Sequence, residues 1–180
     1  MSDSKAARLI EEAAAGHKET AHRITVRPAQ AEDVPALAGL LVRLKRLNEE
    51  FDPLLKVRMD AEAHATRVLE TAVKDPKMLV LAGEGTGPDQ GRVVGVVRAA
   101  LRDRIFYTPE VEGVILDIYL LPAFRRKNVG EYLLAETVRI LKEKGAGIVT
   151  AEFPAQNQIA ARFYAKRGFR PLNATHAKII

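Results

Sequence analysis

The residues with the clearest chemical meaning form a basic turn between an apolar segment and a helical pattern. The turn consists of Arg125, Arg126, Lys127, Asn128, Val129 and Gly130. It follows Pro122, which ends a strand because proline lacks a backbone donor and has a fixed φ. The first N–H groups of the next helix have no partner within the helix and lie at the positive end of its dipole. Together with the cationic side chains they predict an anion site, and a pyrophosphate group matches it.

Other side chains could donate or accept a proton near such a ligand. Asn157 and Tyr164 are seven residues apart, close to two helical turns, so a helix would place both on one face. Tyr164 is the candidate acid, and Glu152 is a carboxylate near the end of a strand; a core aromatic and a solvent-facing strand end are the structural alternatives. Asp117 interrupts an apolar strand and is a candidate base, unless it pairs with a nearby arginine. Glu112 is a weaker choice of base.

The apolar periodicity predicts the elements that must position these residues. Strands are indicated at 24–28, 78–82, 92–102, 113–121, 148–153, 169–172 and 178–180. Helices are indicated at 34–44, 60–74, 129–144 and 157–166. Asp33 is predicted to cap the first helix, and Gly145, Gly147 and Gly168 to end the last two. The order of elements predicts an α/β fold, a mixed sheet with helices on both faces.

Composition indicates a single domain. The 180 residues, 47% of them hydrophobic, suffice for one core, which we assign to residues 23–180. Residues 1–22 are helix-prone but carry little apolar mass, so they are interpreted as an N-terminal extension. The absence of cysteine excludes disulfides and cysteine-ligated zinc and favours a cytoplasmic location. No apolar run approaches the roughly 20 residues of a membrane helix, and the net charge of +5 suits an anionic partner.

The basic turn resembles the acetyl-CoA signature of the GCN5-related N-acetyltransferases, the GNAT superfamily. That signature reads Gln or Arg, two residues, Gly, one residue, then Gly or Ala. Arg125, Val129 and Gly130 match, whereas Asn128 stands where the first glycine is usual. Asparagine tolerates the left-handed region best after glycine, so it can keep the turn. The segment from Asn157 to the Gly-Phe pair at 168–169 resembles the second signature of the family, and the resemblance spans about residues 24–180.

The resemblance implies a mostly antiparallel sheet of six to seven strands and an N-acetyltransferase that moves an acetyl group from acetyl-CoA to a primary amine by direct attack. Tyr164 would be the general acid and Glu152 the general base. The strand backbone would pair with the pantetheine amides, and the turn would hold the pyrophosphate. The implied cofactor-binding residues are Ile118, Tyr119, Leu120, Arg125, Arg126, Lys127, Asn128, Val129, Gly130, Glu131 and Asn157.

Several alternatives stay open. The acceptor amine could belong to a protein N-terminus, a lysine or a small molecule. Acidic residues gather at 48–52, but a helix end with a solvated loop is the favoured interpretation there. The four histidines show no ligand spacing, so no metal is predicted. Asn128 motivates a rival hypothesis, a non-catalytic acyl-CoA-binding or regulatory module. Nucleic-acid binding by the basic turn ranks last, no membrane partner is predicted, and a homodimer is implied only because family members often dimerise.

Overall fold

A computed structural model describes residues 24–125 and 128–180 of the chain. Its strands are β1 (Ile24–Pro28), β2 (Met78–Gly85), β3 (Val93–Asp103), β4 (Val111–Leu120) and β5 (Ile148–Ala151). Its helices are α1 (Val34–Glu49), α2 (Ala61–Ala72), α3 (Val129–Glu143) and α4 (Gln158–Ala165). The predicted extension at residues 1–22 lies outside the described residues.

The five strands form a sheet in the order β1-β2-β3-β4-β5, in which only β4 and β5 are parallel. Helices α1 and α2 pack on one face through a cluster that includes Leu37, Leu69 and Val96. Helices α3 and α4 pack on the other face through a cluster that includes Ile115 and Leu133. The mixed, mostly antiparallel sheet with helices on both faces is therefore confirmed.

The predicted strands at 169–172 and 178–180 are wrong for this structure. Residues 169–180 form no strand and are exposed from residue 170 onward. Pro171 cannot donate to a ladder, and each apolar run is only a few residues long. The described part of the sheet thus has five strands rather than the expected six to seven.

A β-bulge changes the course of β4. Arg98 of β3 pairs with Asp117, while the next residue, Ala99, pairs with Ile115. Leu116 is therefore the extra residue on β4, and such an insertion bends the bulged strand and increases its twist. The bulge lies two residues before Ile118, the first strand residue that the resemblance assigned to the cofactor.

Strands β4 and β5 part directly after this bulge. Their pairing covers only residues 112–115 of β4, and the last contact runs from the Glu152 N–H to the Ile115 carbonyl at 2.9 Å. Residues 116–120 of β4 consequently have β3 on one side and no strand of the described chain on the other. An extended ligand could use this edge as a further strand would.

Glycines end the last two helices as predicted. Gly145, just after α3, has a φ of 97°, and Gly168, just after α4, has a φ of 83°. Asp33 precedes α1 but its carboxylate does not cap that helix. It accepts instead from the Gln30 N–H at 2.7 Å and from both terminal nitrogens of Arg27. The Arg27 guanidinium holds the pKa of the Asp33 carboxyl below its usual value.

Candidate active site

Tyr164 lies beside the gap between β4 and β5. Its ring stacks on Phe153, just past β5, with centroids 5.3 Å apart and planes 12° apart. The Asp117 carboxylate of β4 is near enough to act electrostatically on the Tyr164 phenol. Tyr164, near the end of α4, therefore lies close to both strands where they diverge.

The Tyr164 ring is also part of the core, as the structural alternative proposed. Phe163 and Phe169 meet it edge-on, at 5.3 and 5.1 Å, and only 5% of the residue is exposed. Within the described part of the chain, no group hydrogen-bonds to its hydroxyl. The ring is thus held by packing, which leaves the hydroxyl available to a ligand.

The electrostatic environment keeps this phenol protonated. Burial raises the pKa of Tyr164 above its usual value, and the negative charge of Asp117 raises it further. Both effects disfavour the phenolate. At neutral pH the Tyr164 hydroxyl is therefore a hydrogen-bond donor.

Asn128 adopts the left-handed conformation that the turn requires. Its φ is 63° and its ψ is 11°, and it is the only residue other than glycine with a positive φ in the described chain. It immediately precedes α3, and its carbonyl accepts from the Tyr132 N–H at 3.0 Å. Asparagine therefore adopts the left-handed conformation at this position, as predicted. Arg126 and Lys127 lie outside the described residues.

This geometry predicts how substitutions at Asn128 behave. Asn128→Ala should lower the free energy of unfolding by about 1 kcal/mol, because alanine tolerates the left-handed region poorly. Asn128→Gly should be neutral or stabilising, because glycine adopts that region without steric cost. Urea unfolding of both variants measures the effect. A larger loss with glycine than with alanine would contradict the backbone explanation.

The Arg125 side chain braces the end of β4. Its Nε donates to the Leu120 carbonyl at 2.8 Å, and its guanidinium lies 5.0 Å from the centroid of the Tyr119 ring. Such a contact is a cation–π interaction. Tyr119 and Leu120 are themselves buried, so side chains at these positions fix the strand, while Ile118 is half-buried.

The first turn of α3 contacts the end of α4. Glu131 of α3 forms an ion pair with Arg167, whose guanidinium carbon lies 3.9 Å from the centroid of the Phe163 ring. The Phe163 ring also packs against Gly130, since a Cβ atom added to this glycine would lie 3.7 Å from the ring. Val129 is buried in the core. These contacts anchor the helix start beside the basic turn.

Asn157 is the N-cap of α4. Its Oδ1 accepts from the Ala160 N–H at 2.9 Å, which gives the side chain a structural role at the start of the helix. The cap uses only the side-chain oxygen, so the amide N–H groups can still donate to a ligand.

The Glu152 carboxylate lies at the surface, one residue beyond β5. Its Oε1 accepts from Nη1 of Arg102 at 2.8 Å, and both side chains are about half exposed. Glu152 thus meets the solvent-facing alternative, but it carries an arginine partner that was not predicted. Arg98 and Arg102 interrupt the apolar pattern of β3 four residues apart, and this spacing puts them on one face and could have revealed them.

Asp117 is closed to solvent by two cations. Its Oδ2 accepts from Arg98 Nη2 at 2.7 Å, its Oδ1 pairs with Lys45 of α1, and 1% of its side chain is exposed. Sequence analysis weighed an arginine partner against the role of a base, and the structure confirms the pairing. The cluster of Lys45, Asp117 and Arg98 ties α1 and β3 to the bulged strand.

Two acidic residues of segment 48–52 also have structural partners. Glu49 Oε1 accepts from the Val57 N–H at 2.5 Å, and Asp52 Oδ1 accepts from the Leu54 N–H at 2.8 Å. Both carboxylates therefore hold the loop after α1. Glu112 accepts from the Thr150 hydroxyl at 2.6 Å, across the paired part of β4 and β5.

Residues 24–125 and 128–180 lack both a metal-binding cluster and a membrane-spanning helix. No group of three or more His, Cys, Asp or Glu side chains there could hold a metal ion. No helix in that part of the chain has the length and hydrophobicity to cross a membrane.

The sequence of this chain matches those of known proteins. The model of the Acetyltransferase (GNAT) family matches residues 44–169, which is more than half of the chain. A curated relative, spermidine N(1)-acetyltransferase of Thermoplasma acidophilum, is 36% identical over 56 residues. That match covers 31% of this chain and 35% of the relative, so the chain matches about a third of the relative's length.

Solved structures agree with the fold. A predicted acetyltransferase with acetyl-CoA from Clostridium acetobutylicum has a TM-score of 0.69 at 16% identity, covering 87% of this chain and 96% of that one. An aminoglycoside N-acetyltransferase in complex with CoA has a TM-score of 0.68 at 16% identity, covering 87% and 94%. At these identities the similarity concerns the fold alone.

Proposed function

Since this chain belongs to the GNAT acetyltransferase family, we propose that it is an N-acetyltransferase that moves the acetyl group of acetyl-CoA to a primary amine. The observation that carries the proposal is the gap between β4 and β5, with the Tyr164 phenol at its side. The gap offers an unpaired backbone edge and a protonated phenol in one place. These are the requirements for binding an extended thioester and supporting its leaving group.

The residues around the gap fit the parts of acetyl-CoA. The free edge at 116–120 of β4 would pair with the pantetheine amides, as Ile118, Tyr119 and Leu120 were predicted to do. The N–H groups that follow Asn128, at the start of α3, would hold the pyrophosphate, helped by the basic turn. The Asn157 amide would donate to the pantetheine arm.

The transfer needs three proton movements, two from the amine nitrogen and one to the sulfur. Glu152 would take the first proton from the ammonium form of the acceptor, directly or through a water molecule, because an alkyl amine with a pKa of about 10.4 is protonated at neutral pH. The freed amine nitrogen would form the new bond to the thioester carbonyl carbon and then lose its second proton to solvent. The carbon–sulfur bond would break, and the sulfur would leave as a thiolate that needs a proton or a strong donor.

Tyr164 is suited to support the leaving thiolate as a hydrogen-bond donor. Its raised pKa keeps the hydroxyl protonated, so it can stabilise developing negative charge on the sulfur. A thiol pKa of about 8.5 lies below that of the phenol, so complete proton transfer to free thiolate would be unfavourable. The proposed role of Tyr164 is therefore a strong hydrogen bond in the transition state, with the final proton supplied by solvent.

Thermal unfolding with acetyl-CoA tests the binding step. At about a hundredfold excess over Kd, a ligand of the native state adds about 2.7 kcal/mol of stability. For a domain of this size the expected rise in Tm is about 5–10 °C. Adenosine triphosphate at the same concentration is the control for nonspecific anion binding, and an equal rise with both ligands would contradict the acetyl-CoA site.

A thiol-release assay over a panel of amines tests the transfer. Release of free CoA only when an amine is present would support an enzyme. A Tm shift without release from any amine would favour the rival hypothesis of an acyl-CoA-binding module. No Tm shift at millimolar acetyl-CoA would exclude both.

A further inference from the structure

We propose that Arg102 recognises a carboxylate on the acceptor, so that the preferred acceptors are small amines that carry a carboxylate a few bonds from the nitrogen, such as free amino acids. This inference rests on the proposed function, because it concerns the second substrate of the same site. The surface concerned is the face of the sheet on which Glu152 lies.

Polar side chains share one face of β3, β4 and β5. Arg98 and Arg102 are four residues apart on β3 and therefore point the same way. Arg102 is opposite Glu112 on β4, and Glu112 reaches Thr150 on β5. Glu152 follows two residues later and contacts Arg102. The five residues form a continuous polar row across the sheet.

The outer part of this row is open to solvent. Helices α1 and α2 cover this face over β2, β3 and the C-terminal half of β4. Helix α3, which packs on β5, lies on the opposite face. Arg102 and Glu152 have side-chain exposures of 49% and 55%, and Glu112 and Thr150 are half-buried. An acceptor can therefore reach Glu152 from this side.

The charges of the row favour an acceptor with both signs. Together with the adjoining Lys45–Asp117 pair, the row contains three cations, Lys45, Arg98 and Arg102, and three carboxylates, Glu112, Asp117 and Glu152. Lys45 and Arg98 both pair with the buried Asp117 carboxylate, so these three groups already have partners. The exposed Arg102–Glu152 pair remains, and exposed ion pairs are weak because water screens them.

A zwitterion can replace this ion pair without leaving a charge unpaired. The carboxylate of the acceptor would bind the Arg102 guanidinium, which offers parallel N–H donors. Its ammonium group would bind Glu152. The exchange turns one ion pair into two and releases Glu152 from Arg102, so that it can accept the ammonium proton.

Polycations fit this face less well. The curated relative is a spermidine acetyltransferase and one structural neighbour is an aminoglycoside acetyltransferase, both with names that indicate polyamine acceptors. Here Glu49 and Asp52 are engaged with loop N–H groups, and Arg102 would repel a further positive charge. The acceptor class proposed for this chain therefore differs from those named for both relatives.

The test compares matched acceptors on matched variants. Initial rates of thiol release are measured with several amino acids, with the corresponding amides and with spermidine, for the native chain, Arg102→Gln and Arg139→Gln. Arg139 forms comparable exposed ion pairs on α3, which packs on the opposite face of the sheet, and is the control. The native chain and Arg139→Gln should prefer each amino acid over its amide by about tenfold or more in kcat/KM.

Arg102→Gln should abolish that preference by raising KM about tenfold more for the amino acids than for the amides. An equal loss on both acceptors, or spermidine as the best acceptor of the native chain, would overturn the inference. Calorimetric titration of an amino acid into the CoA complex gives a readout that needs no turnover. Binding to the native chain but not to Arg102→Gln supports the inference even if no amine releases thiol, whereas equal binding or none contradicts it.

Discussion

Tyr164→Phe should lower kcat by about 100-fold or more while leaving the fold intact, because a positioned hydrogen-bond donor to charge that develops in the transition state contributes about that factor. The hydroxyl makes no hydrogen bond within the described residues, so its removal costs no buried partner. The three aromatic contacts of the ring are retained in phenylalanine. Tm and the acetyl-CoA-induced rise in Tm are therefore expected to match the native values.

Steady-state thiol release and thermal unfolding measure these effects side by side. Tyr107→Phe removes one hydroxyl from an exposed ring in the β3–β4 connection and should change neither kcat nor Tm. If Tyr164→Phe kept more than about a third of native kcat, the proposed stabilisation of the leaving group would be wrong. A fall in Tm of several degrees would instead favour a purely structural role.

The pH profile gives a second check on the same residue. Burial and Asp117 raise the pKa of Tyr164 above the usual value of about 10, so its hydroxyl stays protonated through the alkaline range of ordinary assays. We expect no loss of native kcat between pH 7 and about pH 9 from titration of this phenol. A Tyr164-dependent decline in that range, absent from Tyr164→Phe, would show that the phenol ionises there.

The sequence could predict the elements because their signals are local. The start of α3 after a proline and a basic turn follows from periodicity and from the conformational range of asparagine, and Asn128 has the expected φ of 63°. The two terminal strands failed because strand pairing is not local. A short apolar segment with a proline carries no information on whether a free sheet edge can accept it.

The sequence named the candidate site residues but gave fewer of their partners. Tyr164 and Asp117 were identified by type and spacing, yet the pairing of Asp117 with Lys45 depends on how α1 crosses the sheet. The pairing of Glu152 with Arg102 depends on the register of three strands, which spacing within one strand cannot give. Residue types thus predict the chemistry of a site more readily than its internal contacts.

Asp117→Asn is expected to be the most destabilising change in the site, because it leaves two cations facing a neutral amide in a buried position. Removing one partner of a buried ion pair costs about 3–5 kcal/mol. Lys45 and Arg98 are 43% and 22% exposed and can partly recover water, so we expect about 2–4 kcal/mol. Urea unfolding measures the loss, with Asp103→Asn, which breaks an exposed pair with Lys77, as a control that should change stability by less than about 0.5 kcal/mol.

The same variant decides whether Asp117 is a base. Asp117 follows the bulge at which β4 leaves β5, so loss of its ion pairs should loosen the free edge and weaken acetyl-CoA binding together with stability. If the role is structural, Asp117→Asn assayed below its Tm and at saturating acetyl-CoA should keep kcat within about threefold of native. A 100-fold loss of kcat with unchanged stability and affinity would instead assign the proton transfer to Asp117 and remove it from Glu152. The buried position of the carboxylate between two cations favours the first result, because a base must exchange its proton with the acceptor, and both oxygens of Asp117 already have partners.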